Sequence, residues 1–232
     1  MTTDDAGIDL PAKKMIQVKT RPSPEYWKFW RERVVTIDTT NLQEFELDSD
    51  FFGSNEHCKR ELIGDTSLTR RLYARQLCGL YNPYRYEAFR DLVNSTEDRL
   101  IVFYNFTEEM ERLKGIVTAM NRPVSILSGE VKDLNAYQYQ SNSVTFIQYQ
   151  AGAMGGNFQK ANKIIYFSLP QGCELWEQSQ KRIHRMGQER PCFYYLLICP
   201  GTVEEDILTT LQMRKEYNDE LFRKYEEKTE RN

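Results

Sequence analysis

From Arg99 onward, short apolar runs alternate with stretches of helical period. Leu100 to Tyr104 (LIVFY) is a continuous apolar run bounded by charge, the pattern of a strand buried on both faces. Pro123 to Leu127, Val144 to Tyr149, Lys163 to Phe167 and Phe193 to Cys199 repeat it. Between them, Thr107 to about Met120 predicts a helix capped by Thr107, with Glu108 and Glu109 in its first turn, where acids suit the helix dipole. Asp133 to Tyr139 predicts a short helix, and a helix over Glu177 to Gln188 follows the fourth strand. Thr202 to about Lys228 predicts one long helix, its Val203, Ile207 and Leu211 forming a stripe at i, i+4 spacing. Alternating β and α units of this length imply a parallel sheet sandwiched by helices, an α/β fold.

The first third is mainly helical. A polar start is broken by an extended piece around Met15 to Val18, which predicts a strand, and Ser23 between two prolines predicts the N-cap of a helix over Glu25 to Val35. Thr36 to Leu47 alternates weakly and predicts a strand; Asp48 to Asp65 is acidic and predicts a loop. Helices are predicted over Thr66 to Leu80, with Leu68, Leu72 and Leu77 near helix period, and over Tyr84 to Val93.

Composition narrows the classes. With 232 residues, 40% hydrophobic and 12% aromatic, the chain can bury a sizeable core. A net charge of −3 gives no global pull toward nucleic acid, which leaves a local basic strip open. Cys58, Cys78, Cys173, Cys192 and Cys199 form no C-x-x-C pair, so reduced thiols are expected and no metal site. No apolar run approaches a membrane span. The expected setting is cytoplasmic, in a bacterial or phage-infected cell, with no membrane partner.

The chemistry concentrates in EQSQKRIHRMGQ, Glu177 to Gln188. On a helix, the spacings of four and three in Gln178, Arg182 and Arg185 share one face. Planar guanidinium donors suit phosphate oxygens; the plain alternative is a solvated charged face. His184 points elsewhere and reads as a packing or hydrogen-bonding histidine rather than a proton shuttle. QAGAMGGNFQKAN, Gln150 to Asn162, places glycines at 152, 155 and 156 after a strand. They permit close approach of a ligand, although alone they also describe an ordinary turn.

Q-x-x-x-R-x-H-R-x-G-Q resembles the last motif of superfamily 2 helicases and translocases, the Swi/Snf branch fitting best. The resemblance implies a RecA-like second lobe, residues 98–232 with a C-terminal helix, preceded by a lead-in segment and helical extension over 1–97. It implies Arg185 as arginine finger, Arg182 as its companion and Gln178 as a helper, acting on ATP with Mg2+ held mainly by a first lobe. The glycine stretch resembles the family's A-G-G-x-G-x-N-L motif, which couples ATP to the DNA track. That implies Gly155 and Asn157 near ATP, and Gln150, Ala151 and Gly152 near nucleic acid. Gly156 departs from a usually aliphatic position, and Tyr149-Gln150 from the usual Thr-Lys. Leu100 to Phe106 resembles the L-I-F-x-x-F strand that opens the second lobe, making Asn105 and Phe106 nucleic-acid candidates. Ser128-Gly129 resembles a loop touching the nucleic-acid backbone, and is equally an ordinary turn. DLPAKK…SPEYWKFW and the Leu68 to Tyr81 region resemble the approach to the second lobe. The Q-Y-Q-A-G and G-L-Y wording is similar to compact phage and bacterial members.

No G-x-x-x-x-G-K-[ST] loop and no D-E-x-H box occurs in the sequence. The expected function is therefore that of a second motor lobe of a nucleic-acid-dependent ATPase, inactive alone, with a first RecA-like lobe and duplex DNA as partners. The alternative is a non-catalytic module that keeps the fold and docks nucleic acid or protein. A Rossmann-type enzyme would need G-x-G-x-x-G after the first strand, which is absent.

Overall fold

The computed structural model describes residues 10–39, 59–152, 156–214 and 217–230. Residues 40–47 of the strand predicted over Thr36 to Leu47, residues 48–58 of the predicted loop, and Gly155 lie outside them. Strand β1 (Lys13–Lys19), helix α1 (Pro24–Glu32) and the antiparallel pair β2 (Val34–Asp38) and β3 (Lys59–Ile63) come first, followed by α2 (Ser67–Cys78) and α3 (Pro83–Asn94). The alternating part runs β4 (Leu100–Tyr104), α4 (Thr107–Ala119), β5 (Val124–Leu127), β6 (Lys132–Asp133), α5 (Asn135–Tyr139), β7 (Val144–Gln148), α6 (Tyr149–Gly152), β8 (Lys163–Tyr166), α7 (Cys173–Gln180), β9 (Cys192–Ile198), α8 (Val203–Gln212) and α9 (Asp219–Glu230).

The five apolar runs fold into the predicted parallel sheet, extended at both edges. Its order is β1-β9-β8-β4-β7-β5-β6, parallel throughout except for the β5–β6 pair. The strand around Met15 to Val18 pairs along its whole length with β9, from Lys13↔Cys192 to Lys19↔Ile198. Lysines at both ends blunt this exposed edge. Successive residues of β4 enter opposite layers, as strand geometry requires. Ile101 and Phe103 join Phe29, Leu77, Trp176, Ile207 and Phe222 on one face. Leu100, Val102 and Tyr104 join Phe89, Leu113, Val117 and Phe167 on the other.

Four local expectations are corrected. The predicted C-terminal helix breaks after Gln212: Arg214 takes φ +56°, and Tyr217 N donates to Gln171 O at 3.0 Å. The aromatic contacts of α9 with α1 account for the reversal. The Trp30 ring lies 6.0 Å from Phe222 and 5.0 Å from Tyr225, and the Tyr26 and Tyr225 hydroxyls bond at 3.0 Å. Asn218, whose Oδ1 accepts from Leu221 N at 3.1 Å, was the legible start signal. Thr107 is not the cap of α4; Phe106 holds that position, and Glu109 reaches back to accept from Asn105 N and Phe106 N. Leu68 and Leu72 face solvent at 61% and 36% exposure, while Arg70, Ala74, Gln76, Leu77 and Cys78 are the buried residues of α2. Finally, the predicted loop over Asp48 to Asp65 contains β3, whose single buried residue, Leu62, gives little apolar signal.

Candidate functional site

The arginine-bearing segment is not one helix. α7 ends at Gln180 with Lys181 as C-cap, and residues 181–187 continue as turns and bends. The three candidates therefore do not share a helix face, yet they meet in space. Gln178, Arg182 and Arg185 line one cleft of about 1010 Å³ with Lys13, Met15 and Trp176. Lys13 Nζ donates to Gln180 Oε1, and Arg214 pairs with Glu177 at 3.5 Å, closing the cleft's other flank.

Arg182 is half-buried. Its carbonyl accepts from Phe158 N at 3.2 Å and its Nη1 reaches Gly156 O at 3.5 Å, while Nε is buried without a partner among the described residues. Burial, then the neighbouring Arg185 charge, lower its pKa. A guanidinium remains charged under such a load, so an anion that supplied acceptors here would relieve both costs. Gln178 Nε2 donates to Glu174 at 2.8 Å, and its Oε1 is likewise buried and unpartnered. Arg185 is exposed. His184 Nε2 bonds Pro11 O at 2.8 Å, tying the turn to the lead-in segment, which agrees with its expected hydrogen-bonding role.

The glycine motif lies against this turn. Gln150, Ala151 and Gly152 fall in α6; Gln150 is exposed, whereas Ala151 is 1% exposed and offers little surface. Tyr149 turns inward, donating to Ser168 O at 2.9 Å and stacking on Phe103 at 5.0 Å. Asn157 is exposed and donates to Gln159 Oε1 at 3.0 Å. Gly155 lies outside the described residues.

Asn105 and Phe106 lie elsewhere, at the C-terminal end of β4, where neighbouring connections leave the sheet in opposite directions, a common ligand position in α/β folds. Here that position is occupied by the chain itself. Asn105 Nδ2 donates to Ser168 Oγ and Leu169 O, each at 2.9 Å, and Ser168 Oγ donates to Glu109 at 2.8 Å. Burial raises the Glu109 pKa against the three bonds it accepts. Phe106 carries Arg75 over its ring at 5.4 Å. Ser128 and Gly129 form the tight turn between β5 and β6, at the sheet edge opposite β1: Ser128 N donates to Val131 O at 2.8 Å, and its Oγ accepts from Val131 N at 3.0 Å. Sequence reasoning assigned no role to Ser168 or Gln159, placed Glu109 only in the first turn of a helix, and met Gln188 only as the last residue of the arginine motif. Glu109, the third residue after the cap, was legible as a capping partner.

Residues 84–187 match the family model described as helicase conserved C-terminal domain. The DNA repair and recombination protein RDH54 of Saccharomyces cerevisiae is 24% identical over 134 residues, 55% of this chain and 14% of that protein. A Caenorhabditis elegans SWI/SNF-related regulator of chromatin, subfamily A, containing DEAD/H box 1 homolog, is 28% identical over 133 residues, 53% of this chain and 13% of that protein. The chain thus spans only a small part of the length of these relatives. Its fold is similar to that of the C-terminal part of the Fun30 ATPase domain, with TM-score 0.62 at 14% identity over 94% of this chain and 98% of that one. The Sulfolobus solfataricus SWI2/SNF2 ATPase core, solved with double-stranded DNA, gives 0.60 at 19% identity over 91% of this chain and 45% of that one. No helix among the described residues is long and apolar enough to cross a membrane. Residues 84–187 thus match a helicase conserved C-terminal domain, the relatives include Swi2/Snf2-type proteins, and the fold is similar to RecA-like lobes of solved Swi2/Snf2 ATPases.

Proposed function

We propose that this lobe works in a nucleic-acid-dependent ATPase, supplying Arg182 and Arg185 to ATP held with Mg2+ mainly by a first lobe. In this reading residues 1–97 are the lead-in segment and helical extension, and 98–232 the motor core. The observation that carries it is the cleft containing Gln178, Arg182 and Arg185, with a buried, unpartnered Nε on Arg182. ATP supplies the γ-phosphoryl group, which passes to water as the bond to the bridging oxygen breaks. Arg182, held through its backbone by the glycine loop, neutralises phosphate oxygens from a fixed position. Arg185, at the cleft's exposed rim, offers the finger, and Gln178 an acceptor beside them. Charge neutralisation of this kind is worth roughly 10³–10⁵ in rate. Gln150 and Gly152 lie on the segment that would face duplex DNA and report its presence to the arginines, with Asn157 on the ATP side.

The test is Arg185→Ala in a two-lobe protein. DNA-stimulated turnover is expected to fall about 10³-fold or more with ATP binding largely retained; near-normal turnover removes the finger assignment. One observation favours a non-catalytic docking module instead: Tyr149 and Ala151 are buried at the motif positions from which a backbone contact would be made. That reading predicts DNA or protein binding by this chain alone and no turnover in any mixture.

A further inference from the structure

The arginine turn is fastened to the glycine loop through two glutamine side chains. Gln188, 7% exposed, donates from Nε2 to Ile183 O within its own turn at 3.2 Å, and to Gln159 O at 3.2 Å and Ala161 O at 2.9 Å across the gap. Its Oε1 accepts from Arg190 N at 3.1 Å. Gln159 answers in the other direction, its Nε2 donating to Met186 O. Gly187, at φ +89°, permits this approach: a Cβ there would sit 3.2 Å from Gln159 Nε2. Only glycine takes such a φ at little cost.

The Arg185 side chain makes no hydrogen bond or ion pair among the described residues, so the backbone of the turn sets its position. That backbone is gripped on both sides of Arg185, at Ile183 by Gln188 and at Met186 by Gln159. A shift of the glycine loop is thereby delivered to the residues flanking the finger, through bonds that do not stretch by more than a few tenths of an ångström before failing.

We propose that Gln159 and Gln188 are positioning residues that transmit nucleic-acid engagement of the glycine loop to Arg182 and Arg185. The inference rests on the motor-lobe reading above. It is tested with Gln159→Ala, at a half-exposed position, and with Gln188→Leu. Hydrogen exchange is followed in this chain with and without duplex DNA, and steady-state kinetics in the chain joined to a first lobe.

In the wild type, DNA is expected to slow exchange of backbone amides in the 183–188 segment. In Gln159→Ala those amides should exchange on the order of tenfold faster, with the DNA response lost and DNA affinity retained. Kinetically, kcat with DNA should fall by up to about 10²-fold, the cost of a misplaced catalytic group, while KM for ATP holds. A merely structural role would lower melting temperature without dividing kcat from KM. If Gln159→Ala keeps both the remote protection and the wild-type stimulation, the inference is overturned and the motor reading stands. If the wild type neither binds DNA nor hydrolyses ATP beside a first lobe, the motor reading fails, and the transmission proposal with it.

Discussion

Arg85 and Glu204 form a buried ion pair beneath the ends of β8 and β9, and removing one partner should expose how much it holds. Arg85 is 0% exposed and Glu204 3%. Arg85 Nη1 donates to Glu204 Oε1 at 2.8 Å and to Phe167 O at 2.6 Å; Nη2 donates to Glu204 Oε2. Glu204 also accepts from Cys199 N at 2.9 Å. Burial opposes the Arg85 charge most strongly, but the Glu204 carboxylate, together with Cys199 and Cys78 beside it, raises the Arg85 pKa. Arg85→Met strands that carboxylate, at a cost of about 3–5 kcal/mol. Adding Glu204→Leu removes the stranded charge and newly orphans only Cys199 N, worth about 1–3 kcal/mol, because Phe167 O has lost its donor in the single variant already. The double variant should therefore be no less stable than Arg85→Met alone, so the two losses are far from additive. Urea unfolding followed by circular dichroism measures this. With a slope of roughly 2 kcal/mol/M, the single variant's midpoint should drop by about 2 M. A loss under about 1 kcal/mol for Arg85→Met, or a double variant equal to the sum of the singles, would refute the reasoning.

Trp30→Ala should cost about 3–5 kcal/mol and release α9, because the indole packs on Phe222 and Tyr225; α9 amides that stay protected from exchange would contradict it. Duplex DNA affinity should fall steeply with salt, log K dropping by about 0.9 per phosphate neutralised for each log unit of salt, and a flat response argues against a backbone contact.

The sheet was legible because its strands are buried on both faces: LIVFY, VTFIQ and CFYYLLI cannot sit at a surface. The cleft was legible in its membership but not in its construction. Glutamine and arginine at spacings of four and three suggested one helix face, whereas α7 stops at Gln180 and hydrogen bonds from Gln159, Gln188 and Phe158 draw the turn inward. All but the Gln188–Ile183 bond join residues more than twenty positions apart, so no local period reports them. Asn105 illustrates the converse. Its place at a strand end pointed to a ligand, but Ser168 and Leu169, brought in by β8, take up its donors. The break between α8 and α9 escaped a periodicity argument because Val203, Ile207 and Leu211 do share a buried stripe, and only the aromatic contacts to α1 turn the chain back.

The proposed function, a second lobe that completes an ATPase together with a first lobe, is tested most directly by turnover. ATP hydrolysis should be measured for this chain alone, for the chain with a first lobe, and for that mixture with duplex DNA. Turnover confined to the mixture and raised by DNA is the result predicted. Equal activity with and without this chain, or none in the mixture while the chain alone still binds DNA or protein, would contradict the account and favour a docking module.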